Sequence, residues 1–536
     1  MSSATDPVPP RTERLNTKAA GVIGLAVMCS RLLGLAREQI FAALFGGGAA
    51  MDAFTTAFRI PNLLRDLFAE GALSTAFVTT FSKTIATSGD QAAWRLANKV
   101  ATMTTLVLGV VCVGGMLGSS GLVAVLGSGF SPEKAALTVH LTRIMFPFIL
   151  LVSLAALVMG MLNAKNVFGM PAMASSFFNL GSIIGGVTLG YWLDPHFGPR
   201  ALIGLAFATV IGGALQLIVQ LPALAKAGYR FRADFNWRDA GVKSILLLMG
   251  PSVIAASTTQ INVLVNSSFA SKLGDGPIFW LAIAFRLMQL PLGLFGVALG
   301  TVSLPLLSRL VAAQQMVAVR SELARAMRLS LVLTIPSMIG LMMLAGPIIS
   351  VLYQHGKFTA FEAEQAAGAL RFYAIGLPAY ATLKVLVNAF YALERRKTPM
   401  LVSFAAVGVN LGLNWLFTFH LGWGHRGLAF STGCVATFNF LFLYALMRSH
   451  LDGLESRKML LSLLKLSLAC VPLVAVCAAS NWWLLSDWAT QPFLMKLGNL
   501  SIAVIAGVAA FGAACLAVHV DEMGQLAAAI RRRIRR

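Results

Sequence analysis

Charge is what this sequence has least of. Asp, Glu, Lys and Arg together make up 12% of its 536 residues, and only 21 residues are acidic. A soluble globular chain carries about a quarter charged residues, whereas here 57% of residues are apolar and the mean hydropathy is +0.77. That excludes a water-soluble fold and makes lipid the native solvent. Cysteine is scarce too. Cys29, Cys112, Cys434, Cys470, Cys477 and Cys515 stand singly in apolar runs with no C-x-x-C pair, which argues against a metal site and against a disulfide framework. The seven histidines are dispersed, no D-x-D pair or H-x-x-x-x-D is present, and no metal site is expected. The short apolar–polar alternation of an outer-membrane barrel is also missing, because runs such as Leu246–Val263 and Leu329–Leu352 are far too long for it.

What is present is a series of apolar stretches of helical length, each needing roughly 20 residues to cross a bilayer. Polar, glycine and proline punctuation divides them into about fourteen: 20–46, 52–82, 97–126, 135–163, 171–193, 201–224, 241–271, 277–308, 327–353, 363–392, 399–420, 426–447, 459–484 and 495–519. The fold class predicted is therefore an all-α polytopic membrane protein. The 42 basic residues, which give a formal charge of +21, collect in alternate connections. Lys226, Arg230, Arg232, Arg238 and Lys243 form one such group, and Arg395, Arg396 and Lys397 another; the opposite connections hold only isolated cations such as Lys134, Arg200, Lys272, Lys357 and Arg426. Because cations remain on the cytoplasmic side, this pattern explains the basicity without a nucleic-acid partner and predicts both termini inside. The arginine-rich end, Arg531–Arg533 with Arg535 and Arg536, is expected to lie on anionic lipid headgroups.

Sliding the chain by 227 residues lays Ala57-Phe58-Arg59-Ile60 on Ala284-Phe285-Arg286-Leu287, and at an offset of 228 Ala164 and Pro171 meet Ala392 and Pro399. Six spans preserve orientation, so two similar halves with a shared cavity are expected, followed by two extra helices. The predicted divisions are a disordered cytoplasmic tail over 1–17, six-helix lobes over 18–226 and 227–450, two added helices over 451–520, and a basic tail over 521–536.

An ionisable side chain near the bilayer centre costs about 2.5–3.5 kcal/mol on insertion scales, so those within spans mark cavities or partners. Arg31 and Arg37 lie in the first span, flanking Gly34. In the second, Asn62, Asp66 and Glu70 recur every four residues beside Arg65, with Asp52 at its start. Pro61 and Gly71 bracket this stripe and are expected to act as a hinge. Arg286 is the lone ionisable residue of its span, and the repeat sets Arg59 opposite it. Arg31, Arg37, Arg65 and Arg286 are thus candidate ligands of a diphosphate, which guanidinium groups grip through paired hydrogen bonds. Asp52, Asp66 and Glu70 are candidate gates or charge partners. Plainer readings stand beside these: Arg31 and Arg37 as helix-end residues, Asp52 as a helix cap, Asp66 as a neutraliser of Arg59 or Arg65, Glu70 as an arginine's partner, and Lys384 as a snorkelling residue.

The runs Ser30-Arg31-Leu32-Leu33-Gly34-Leu35-Ala36-Arg37, Asp52-Ala53-Phe54, Pro61-Asn62-Leu63-Leu64-Arg65 and Phe68-Ala69-Glu70-Gly71-Ala72-Leu73-Ser74 resemble the N-terminal signature of the MurJ (MviN) family, with similar blocks at Gly293–Pro305 and Gln354–Thr359. The resemblance implies the fold of the multidrug/oligosaccharidyl-lipid/polysaccharide (MOP) superfamily, with two six-helix lobes and a pair of helices forming a groove for a lipid tail. It implies an inner-membrane transporter, without an enzymatic step, that moves lipid II to the periplasmic leaflet by alternating access for cell wall synthesis. The cavity role it implies falls on Arg31, Arg37, Asp52, Arg65, Glu70 and Arg286. Asp66 stands where a second arginine often follows the first, and Phe285 where an acid often precedes Arg286. No cofactor is expected, and the drive is either an ion gradient or the membrane potential. A functional monomer, associated with cell wall synthesis machinery, is the expected state. The alternatives are a related oligosaccharide-lipid or drug exporter, and a membrane glycosyltransferase or phosphatase acting on polyprenyl diphosphates.

Overall fold

The computed structural model describes residues 17–66, 73–486, 488 and 491–524, and every regular element among them is helical. The long segments are α1 (Thr17–Phe45), α2 (Ala49–Arg65), α3 (Ser74–Leu117), α4 (Pro132–Ala164), α5 (Gly169–Leu193), α6 (Ala201–Lys226), α7 (Ala240–Ser271) and α8 (Pro277–Ala312). They continue as α9 (Met316–Met343), α10 (Ala360–Ile375 with Leu377–Ala392), α11 (Lys397–His420), α12 (Gly424–His450), α13 (Ser456–Trp483) and α14 (Phe493–Ala517). Helices are the natural outcome in lipid, since every backbone N–H and C=O must find its partner within the segment.

Ten of these segments are long and apolar enough to cross a membrane, or eleven when the two arms of α10, bent by 43°, count as one span. The expectation of about fourteen therefore rests on three more, α1, α2 and α7. These three carry polar side chains that line the interior cavities, Arg37 and Glu38 on α1, Arg59 and Asn62 on α2, and Thr258, Asn262 and Asn266 on α7. The 44 residues of α3 are two helices joined at Gly89, whose φ of 79° a side chain would strain, so 74–88 and 90–117 turn back on one another.

Packing follows residue size. The α5 and α6 backbones approach through Gly181, Gly185, Gly204 and Gly212, and a Cβ at Gly212 would fall 2.6 Å from Ser182 Oγ and 2.7 Å from the Phe178 carbonyl oxygen. Such small-residue faces associate helices that lipid alone does not drive together. The outer faces are apolar and open, with Leu247 and Leu494 each 78% exposed, while Trp482 and Trp483 project from the end of α13 in the manner of an interfacial belt.

The two final helices are tied to α9 by charge. Arg328 donates to Glu522 at 2.6 Å and to Glu455 at 3.1 Å, and Lys458 also donates to Glu455. Burial raises the Glu455 carboxyl, but Lys458 and Arg328 outweigh this and hold it below the usual range. Between α3 and α7, Lys99 donates to Asp239 at 2.6 Å, and this bond above all holds the Asp239 carboxyl low, with support from the backbone N–H of Gly241.

Candidate functional site

The chain brings three guanidinium groups to one interior cavity of about 210 Å³. Arg37 comes from α1, Arg59 from α2 and Arg286 from α8, and Glu38, Thr55, Asn62 and Thr209 supply the other polar lining. Phe41, Phe54, Phe58 and Phe279 complete the walls. Arg37 lies over the Phe178 ring at 5.1 Å and within electrostatic reach of Arg286, Glu38 and Arg65. Arg286 pairs with Glu38 at 2.5 Å, and Arg59 donates to the Ser267 hydroxyl. An apolar wall lowers the local dielectric, which strengthens an arginine's hold on an anion. Repeat-related Arg59 and Arg286 thus face the same chamber.

One side of this chamber is sealed by a buried charge network. Asp52, fully buried, accepts from the Lys134 ammonium at 2.9 Å and from the N–H groups of Gly276 and Phe279 at 2.7 and 2.9 Å. Those two N–H groups belong to the start of α8, where they lack intrahelical partners and the helix dipole favours a negative charge. Asp52 is a helix cap, but for α8 rather than for its own helix. Lys134 also donates to Asp275 at 2.9 Å. Beside this network the Gly47 N–H donates to Glu362 at 2.8 Å. The Lys357 N–H donates to the Ala43 carbonyl at 2.7 Å, and its ammonium donates to the carbonyls of His196 and Phe197. All these contacts join α1, α2, α4 and the α5–α6 turn to the region from Asp275 to Glu362.

Of the arginines read from sequence, Arg37 and Arg286 line the chamber and Arg31 and Arg65 do not. Arg31 is exposed on α1 and its guanidinium lies beside Gly293, where α8 passes into a π-helical turn over Leu292–Val297. Arg65 is bound to Asp66 at 2.8 Å, so Asp66 serves as its charge partner. Pro61 is buried within α2, and the helix runs through it to Arg65. Glu70 and Gly71 lie outside the described residues.

Four participants escaped the sequence reading. Glu38 sits next to Arg37, and Arg59 was left without a role although the repeat marked it. Lys134 and Lys357 were visible only as isolated cations in the less basic connections, and that isolation was the usable signal. A cation that survives where the topology disfavours cations has a partner.

An all-helical bundle with a guanidinium-lined chamber sealed at one side defines the class as a multi-pass membrane transporter. The fold is shared with an inward-facing multidrug resistance MATE family transporter of the MOP superfamily, at 14% identity and a TM-score of 0.69 over 82% of this chain and 99% of that one. The family model described as lipid II flippase MurJ matches residues 41–498, and the chain belongs to that family. It is 37% identical over 427 residues to the lipid II flippase MurJ of Burkholderia cenocepacia, covering 78% of this chain and 81% of the relative. A solved structure of lipid II flippase MurJ in an inward closed conformation superposes with a TM-score of 0.73 at 25% identity, over 93% of this chain and 99% of that one.

Proposed function

We propose that this chain translocates lipid II, the undecaprenyl-diphosphate-linked peptidoglycan precursor, from the cytoplasmic to the periplasmic leaflet of the bacterial inner membrane by alternating access. The observation that carries the reading is the chamber holding Arg37, Arg59 and Arg286 against the single carboxylate of Glu38. A drug exporter for cations calls for the opposite balance. The diphosphate docks on the guanidinium groups, exchanging with Glu38 for Arg286. The Asp52–Lys134 seal stands on the periplasmic side, with both termini cytoplasmic, and its opening coincides with closure on the other side. The undecaprenyl tail stays in lipid, along the apolar groove of about 490 Å³ between α9 and α13 lined by Ile335, Ile339, Val471 and Val474. The chain acts as a monomer without a cofactor, driven by an ion gradient or the membrane potential, with its basic C-terminus on anionic lipid.

Leaflet accessibility of lipid II in cells depleted of the protein is the deciding measurement. Depletion should trap lipid II inside, wild-type chain should restore its exposure, and Arg37→Ala or Arg286→Ala should fail to do so by at least tenfold while remaining folded in the membrane. Full activity in both variants would remove the basis of the proposal.

A further inference from the structure

Between α3 and α7 a slot of about 120 Å³ opens on the outside of the bundle, away from the guanidinium-lined chamber. Val100, Met103 and Val107 line it from α3 and Val242, Leu246 and Met249 from α7, at the spacing that puts residues on one helix face. Val107 and Leu246 are more than half exposed, so the mouth of the slot meets the surrounding acyl chains. Among the described residues lining it, none is charged. A gap between packed helices forfeits the contacts of the atoms around it unless something apolar fills it.

One end of the slot is bounded by the irregular chain that joins α6 to α7 over 227–239. Its course is fixed on α3. The Arg232 N–H donates to the Asn98 side chain at 3.2 Å and the Asp234 N–H to the Thr102 hydroxyl at 3.1 Å, two residues that bracket Val100. This segment carries Arg230, Arg232 and Arg238, and Lys243 directly follows Val242; all four are exposed. Of its two acids, Asp239 is paired with Lys99 and Asp234 accepts from the Asn236 N–H. Phe231, Phe235 and Trp237, exposed as well, interleave with the arginines, a mixture that settles at the level of lipid headgroups. An apolar slot ending in cations matches a molecule that is anionic at its head and apolar in its tail.

We infer that the slot and the linker together form a binding site for an anionic phospholipid of the cytoplasmic leaflet, with one acyl chain between α3 and α7 and the phosphate among Arg232, Arg238 and Lys243. The leaflet rests on the cytoplasmic side proposed for the basic connections, and the site itself is independent of the transported lipid. A cation beside an anionic headgroup favours the docked state by about fivefold, so the three together set a clear preference over a zwitterionic lipid. Val242 and Ile245 share a buried cluster with Phe77 and Leu96 of α3. A lipid seated beside them fastens the start of α7 to α3, where the chain passes from its first half to its second.

The test uses the full chain in phosphatidylcholine nanodiscs with a trace of one of two probes, phosphatidylglycerol or phosphatidylcholine carrying a photoactivatable diazirine in an acyl chain, and reads adducts by mass spectrometry. The phosphatidylglycerol probe should mark 100–108 and 242–249 about tenfold more than the phosphatidylcholine probe does, and the two should mark the exposed face of α14 at Ile505 and Val508 alike. Arg232→Gln/Arg238→Gln/Lys243→Gln should abolish that preference. Leu246→Trp, which fills the slot and leaves the cations in place, should lower the adducts of both probes there and keeps the test open should the triple variant fail to fold. Equal marking of the slot by the two probes, or undiminished adducts in the variants, overturns the site. So does competition by soluble glycerol phosphate as strong as by phosphatidylglycerol, which would leave only an anion site. Slot adducts that vanish in nanodiscs holding two chains would give the face to a second copy and overturn it too.

Discussion

Lys134→Met removes the only ammonium on a carboxylate that has no exposure to solvent. Breaking a buried pair by deleting one partner costs about 3–5 kcal/mol, because the remaining charge is left uncompensated. Part of that loss is offset here, since Asp52 keeps the two N–H groups at the start of α8, and a charge at a helix terminus is worth up to about 2 kcal/mol. The Lys134–Asp275 contact adds less than about 1 kcal/mol, because the Asp275 side chain is 63% exposed. The expected net loss is about 3 kcal/mol. The Asp52–Lys134 pair lies within the first lobe and is lost in the sealed and open arrangements alike, so the ratio between them moves through the Lys134–Asp275 contact, by less than about fivefold. A cysteine placed at Thr55, which lines the chamber, in a background without native cysteines reads this directly. Its labelling by an impermeant maleimide from the sealed face should accelerate by up to about fivefold in Lys134→Met. Adding Asp52→Asn should recover most of the loss, since a neutral amide needs no counter-ion. Unchanged labelling in Lys134→Met, or strictly additive effects in the double variant, would refute the assignment of these two residues as a coupled lock.

Glu38→Gln leaves Arg286 without its carboxylate partner, so affinity for undecaprenyl diphosphate should rise several-fold while headgroup release slows, as measured by titration and by leaflet exposure. Gly356→Ala places a Cβ 2.3 Å from the Ala43 carbonyl oxygen at a φ of 57°. The seal around Lys357 should loosen, with the same rise in Thr55→Cys labelling. Asp239 is held low chiefly by Lys99, so its contribution to stability is present above the ordinary aspartate value of about 3.9 and is lost as pH falls through the lower, folded value. The melting-temperature gap between wild type and Asp239→Asn should be constant from pH 7 to about 5 and shrink below about 4.

The legible part of the site was its inventory of buried charge. Arg37 and Arg286 declared themselves because a guanidinium within an apolar run has no bland explanation as strong as a solvated chamber. Arg31 and Arg65 made the same claim in the sequence, yet one turns out beside Gly293 and the other onto Asp66. Linear spacing gives the angle of a side chain about its own helix, and it says nothing of the helix that stands opposite. The lock was illegible for the same reason. Asp52, Lys134 and Gly276 are separated by 82 and 224 residues from Asp52 onward, and nothing local relates a carboxylate to an N–H that far along the chain.

The sequence by itself determined the solvent, the helical class, the alternation of basic connections and the residues that had to be buried at a cost. Those are properties of composition and short-range periodicity, which each segment carries wherever it packs. Only the tertiary structure decided which charges meet. It set Arg59 in the chamber, gave Arg286 to Glu38 and made Asp52 the cap of a distant helix, because such pairings depend on interhelical distances and crossing geometry that no single segment encodes.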